Sequence, residues 1–159
     1  MRGFEPTLFD KLCDDSPVGP VHRRLSVDEL KDSVARDLEA LLNARTVFDD
    51  SVMEGYPEAA RSIASFGLVD FAGLSLASVH DRVTICRSLE SAISKHEPRL
   101  KNVQVSLDLD RRSVNSLAFS IKAMLVVKPA REPVNFDAML QPTTLQYSVN
   151  RQKASGVTG

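Results

Sequence analysis

The residues from 78 to 109 change hydrophobic period at a proline, and this change constrains the fold more than any other feature of the chain. Val79, Val83, Cys86, Leu89 and Ile93 recur at steps of four and three, which predicts a helix with these side chains on its buried face. Ser78 suits an N-cap, with Asp81 three residues on in a near capping box. Pro98 has no N–H and disfavours the helical region for the residue before it, so the helix must end near His96 or Glu97. Then the spacing becomes two. Val103, Val105, Leu107 and Leu109 alternate with Gln104, Ser106 and Asp108, as in a half-buried strand. Glu97, Pro98 and Arg99 thus occupy the corner where a helix hands over to a strand.

Residues 26–43 predict the clearest helix. Ser26 and Glu29 form a capping box, and Asp28 and Glu29 place negative charge in the first turn, where the helix dipole favours it. Val27, Leu30, Val34, Leu38, Leu41 and Leu42 make its apolar stripe. A shorter helix is expected from Pro57 to Phe66, ended by Gly67, with an apolar loop over residues 68–75. Past the corner, a polar turn is expected at Asp110, Arg111, Arg112 and Ser113. A long strand follows at Leu117, Phe119, Ile121, Ala123, Leu125 and Val127. Lys128-Pro129-Ala130 breaks it, Val134 and Phe136 mark a short third strand, and Leu145, Tyr147 and Val149 a fourth. Clean alternation implies one packed face and one wet face. The expected fold is α+β: about three helices packed on one face of a mainly antiparallel sheet.

With 159 residues the chain is about one domain. Residues 1–25 read as a leader and linker, 26–150 as the domain and 151–159 as a disordered tail. In the leader, Leu8, Phe9 and Leu12 are large apolar residues before the linker 14–20, and two readings stand: a frayed terminus or a docking segment for a partner. A net charge of -1 gives no general pull toward nucleic acid or an anionic membrane, and Arg23-Arg24 and Arg111-Arg112 read as solvated pairs. No apolar run approaches the ~20 residues of a membrane span, and the N-terminus lacks the apolar core of a signal peptide. Cys13 and Cys86 form no CxxC pair, which suits a reducing, cytoplasmic compartment.

Little in the chain suggests catalysis. His22, His80 and His96 have no ligand-spaced partners, and there is no glycine-rich phosphate loop or GxSxG elbow, so no metal or cofactor is expected. The pairs Asp14-Asp15, Asp49-Asp50 and Asp108/Asp110 lie beside turns, where aspartate is common. Glu97 is the one carboxylate that stands out. It could be half of a glycosidase pair, a structural partner of Arg99, or a recognition point for another subunit.

The run Ile93-x-x-His-Glu-Pro-Arg-Leu-x-x-Val-x-Val-x-Leu, ending at Leu107, resembles the signature of the phage baseplate wedge family, whose type VI secretion branch, TssE, is sometimes labelled lysozyme-like. Residues 6–12, 25–30 and 41–45, and Glu132-Pro133-Val134-Asn135-Phe136-Asp137, are similar to its leader, first helix and late strand. Residues 62–68 resemble its asparagine–tyrosine–glycine segment, with Ala64, Ser65 and Phe66 loosening the match and Val69 where proline is usual.

The resemblance implies a structural subunit at the base of a contractile tail, not an enzyme. It implies that the corner of Glu97, Pro98 and Arg99 contacts the other wedge subunits TssF and TssG, with TssK on the same wedge. It also implies that the strands offer an attachment edge to the sheath proteins TssB and TssC, physically a strand addition. The competing reading is a peptidoglycan-cleaving, lysozyme-like hydrolase, which the missing export signal disfavours.

Overall fold

The computed structural model describes residues 4, 5, 12, 25–46, 48, 50–68, 74, 78–113, 116–127 and 130–152, with backbone alone at 50 and 110–113. Helix α1 spans Val27–Asn43, and its capping box forms as the sequence requires: Glu29 N–H donates to Ser26 Oγ and Ser26 N–H to Glu29 Oε2. Leu30, Val34, Leu38, Leu41 and Leu42 are buried, and each large side chain removed from water contributes about 1.5–3 kcal/mol. Two one-turn helices, α2 at Asp50–Met53 and α3 at Pro57–Ala60, and a 3-10 turn at Ile63–Ser65 precede the long helix α4 at Val79–His96. Strands β1 (Leu100–Ser113), β2 (Ser116–Val127), β3 (Ala130–Gln141) and β4 (Gln146–Arg151) form one antiparallel meander in the order β1-β2-β3-β4.

The architecture is α+β. Helix α1 lies along β4, α4 along β1, and the two helices touch each other. Between them and the sheet sit Phe119, Ile121, Leu125, Phe136 and Ala138, which the β2–β3 register brings together on one face. The other face carries Gln104, Lys122 and Asn135.

Several details depart from the sequence pattern. Val79 and Val83 do not reach the core and are 66% and 43% exposed, lining an open groove beside β1; α4 buries Ile85, Leu89 and Ile93 instead. The helix expected from Pro57 to Phe66 breaks at Ser62, whose hydroxyl donates to the Ala59 carbonyl and accepts from Ala64 N–H. A serine that satisfies the backbone in this way competes with helix continuation. Gly67 does not cap a helix. Its φ of 122° lets residues 45 and 68 meet as a parallel bridge, and a Cβ there would lie 2.8 Å from the Ala44 carbonyl carbon.

The turn expected at residues 110–113 is strand in its backbone, since β1 continues to Ser113. Strand β1 also bulges between Lys101 and Gln104, with Asn102 at φ 53°, which resets the alternation so that Leu100 and Val105 both face inward. Strand β3 is longer than the short strand expected at Val134 and Phe136, and Pro133 lies within it. Strand β4 pairs with β3 only from Phe136 to Gln141, so Pro133 lies on an open overhang, where a missing N–H costs no ladder bond. Leu145 is in the turn before β4, with φ 54°. Leu8, Phe9 and residues 153–159 lie outside the described residues. Phe4 and Leu25 form an antiparallel bridge, with Phe4 N–H donating to Leu25 O and Leu25 N–H to Phe4 O, at 2.9 and 2.8 Å.

Candidate functional site: the helix–strand corner and the guarded edges

Backbone bonds fix the corner first. Glu97 N–H donates to Ile93 O at 2.8 Å and closes α4. Leu100 N–H donates to Glu97 O at 3.1 Å, a β-turn with Pro98 at its second position, where the fixed φ of proline fits. Val126 N–H donates to Arg99 O at 2.8 Å, so the turn feeds straight into the sheet.

The side chains of the corner meet each other. Glu97 is 5% exposed. Its Oε1 accepts from Arg99 Nε at 2.7 Å and from Arg99 N–H at 3.3 Å, and its Oε2 accepts from Arg99 Nη2 at 2.7 Å. Arg99 Nη2 also donates to Asp37 Oδ2 of α1 at 2.6 Å. The corner is therefore a triad of two carboxylates and one guanidinium that ties α1 to the start of β1. Burial works against the charge on Arg99, and the bonds to Glu97 and Asp37 outweigh it, holding the guanidinium above its ordinary range. Glu97 sits at the C-terminus of a helix, where negative charge is disfavoured, and the neighbouring Lys95 offsets this. Pro98 is exposed, and Arg99 Nη1 takes no part in these bonds.

Both oxygens of Glu97 accept from Arg99, the arrangement of a structural partner. Of the leader residues singled out, Leu12 is 71% exposed. Among the described residues, no group of three His, Cys, Asp or Glu side chains could hold a metal ion, and no helix is long and apolar enough to cross a membrane.

A second arrangement surrounds the sheet. On β4, Tyr147 N–H donates to Asn43 Oδ1 at 2.7 Å and Val149 N–H to Glu39 Oε2 at 2.8 Å, while Arg151 pairs with Asp28 and Asp32. On β1, Val105 N–H donates to Glu90 Oε1 at 2.8 Å. Burial and the nearby Glu90 push the Cys86 thiol up, and the Leu107 backbone opposes them. Four helical residues rise about 6 Å and two strand residues about 6.6 Å, so side chains at i and i+4 can reach alternate amides of an edge strand. Each helix thus takes the place of a neighbouring strand. An open groove of 390 Å³ adjoins the β1 edge, lined by Val79, Arg82, Val83, Cys86, Leu107 and Leu109 among others.

A third contact ties the 3-10 segment down. His96 Nε2 lies 3.0 Å from the Ser65 carbonyl, and its ring meets Phe66 edge-on at 5.4 Å. A carbonyl only accepts, so Nε2 carries the proton. Burial lowers the His96 pKa, against the Ser65 bond that raises it.

Sequence reasoning found Glu97 and Arg99 but not Asp37, which nothing in the pattern of α1 distinguishes from its other solvent-side charges. It also missed Glu39, Asn43 and Glu90 as edge partners. The step of four from Glu39 to Asn43 beside an apolar stripe was the available signal. In the comparisons with known proteins, the family model described as baseplate wedge protein gp25 matches residues 28–130, from the first turn of α1 to the start of β3. No curated protein matches the chain.

Proposed function

Since the chain belongs to the baseplate wedge protein gp25 family, and so has a structural baseplate role among other baseplate proteins, we propose that it is the wedge subunit of a type VI secretion apparatus, of the TssE kind. In this reading it works in the cytoplasm without catalysis. It joins the wedge subunits TssF, TssG and TssK to the sheath subunits TssB and TssC, and supports sheath assembly. The observation that carries the proposal is the family match across α1, α4 and the first two strands.

The corner would serve as the wedge contact by shape. Its triad fixes the turn, and the turn presents exposed Pro98 and the outer side of Arg99. Leu8, Phe9 and Leu12 would add an apolar contact from the leader. Strand β1 supplies the edge for the sheath, beside the groove that leaves Val79, Val83 and Leu109 exposed.

The test is capture from cells of a type VI-bearing bacterium, with the tagged chain as bait. Recovery of the wedge and sheath subunits is expected. A folded bait that recovers none of them would overturn the proposal. So would clearing of purified cell wall in a turbidity assay, if Glu97→Gln abolished it.

A further inference from the structure

The β1 edge is where a strand from another subunit would add, yet the outward amide of Val105 is already occupied. Glu90 Oε1 accepts from Val105 N–H at 2.8 Å. We propose that Glu90 forms a latch on the β1 edge, which an incoming strand from a second protein must expel before it can pair. This rests on the wedge reading above and adds how its sheath edge is kept shut.

The surroundings define what opens it. The groove beside the edge exposes Val79, Val83 and Leu109, so an entering strand must bring apolar side chains. Arg82 and Arg87 also line it, and among the described residues neither has a carboxylate partner. An entering strand with carboxylates between its apolar residues would pair with these arginines and repel Glu90 from its seat. The occupant is therefore an extended segment of another protein, apolar with acidic residues interspersed.

The latch is local. It uses the part-buried Glu90 beside the β1 edge, while Leu89 and Ile93 hold the helix to the core. Swinging Glu90 aside is a rotamer change that leaves the packing of α4 in place. The other open edges are closed differently. Glu39 and Asn43 of α1 bond to β4, which packs against that helix, and Pro133 offers no N–H on the β3 overhang. At β1 a groove lies beside the guarded amide.

The experiment uses the full chain, its Glu90→Ala and Glu90→Gln variants, and the peptide acetyl-Val-Glu-Val-Glu-Val-Glu-amide as probe. Amide hydrogen exchange is read at Val105, and probe affinity is measured by titration. In Glu90→Ala, Val105 exchange should quicken by about tenfold, with Val149 unchanged as proof of an intact fold, and the probe should bind about tenfold more tightly than to the wild type. Glu90→Gln keeps an acceptor oxygen and should leave the exchange as in the wild type, which separates the latch from a plain change of charge. Unchanged Val105 exchange in Glu90→Ala, or an affinity no better than that of Glu90→Gln, overturns the latch. Capture of wedge subunits by the same variants judges the wedge reading separately, because a failed latch leaves that capture intact.

Discussion

The Asp37 carboxylate of α1 accepts from Arg99 Nη2 at 2.6 Å across a sequence separation of 62 residues. This one bond makes the helix–strand corner a tertiary joint rather than a local turn. It also couples the corner's shape to the position of α1, and so to β4 beneath it.

Removing Arg99 should therefore cost stability first. Arg99→Ala leaves Glu97 buried beside Asp37 with no cation between them, and breaking such a pair costs about 3 kcal/mol. Asp37→Asn keeps the Glu97–Arg99 bond and should cost about 1 kcal/mol. Urea denaturation of the two variants checks the ranking. Equal and negligible losses would mean that the triad adds nothing to folding.

Gly67→Ala should destabilise the protein by about 1–3 kcal/mol. The new Cβ would meet Ala44 backbone atoms at 2.8 Å, at a φ of 122° that side chains rarely adopt. The damage should be local, showing as faster amide exchange at Thr46 and Leu68, whose bonds hold the bridge. An unchanged midpoint in denaturant would contradict this.

Acid should loosen the 3-10 segment through His96. Its folded pKa lies below the ordinary value of 6.5, so below about pH 6.5 the unfolded chain binds a proton more readily than the folded one. Stability from this group is complete above the unfolded pKa and is lost as pH falls toward the folded pKa. Melting curves of wild type and His96→Gln between pH 7.5 and 5 isolate the effect. The wild type should lose more on acidification than the variant, and parallel losses would remove His96 from the account.

Truncation of residues 1–12 should leave the sheet folded while lowering stability by about 1–2 kcal/mol, because it removes Phe4, its paired bonds with Leu25 and its packing on the core. If Leu8, Phe9 and Leu12 dock a partner, the truncated chain should also capture wedge subunits less well. Capture equal to that of the full chain would confine the leader to a structural part.

What could be read from the sequence followed from local rules with strong periods. Ser26 and Glu29 announce their capping box, Pro98 stops α4, and the alternation from Leu117 to Val127 gives the packed face of β2. The errors arise where tertiary placement overrides period. Val79 and Val83 sit on an apolar helical stripe, but among the described residues no element buries that end of α4. Asn102 adopts a positive φ that alternation alone cannot reveal, and Pro133 stays in a strand because β4 stops short of it. At the corner, Glu97 and Arg99 are adjacent enough to suggest their bond, while Asp37 enters only once α1 is folded against them.

The two ladders flanking β2 differ in continuity. Pairing with β3 runs without a break from Leu117–Leu140 to Val127–Ala130, whereas pairing with β1 shifts register twice. A pull along the strands loads the β2–β3 bonds together in shear, while the β1–β2 bonds can yield in separate segments. If a sheath hangs on β1, contraction would meet a compliant coupling backed by a stiff one, and single-molecule stretching should show β1 extending in steps before β3 gives way.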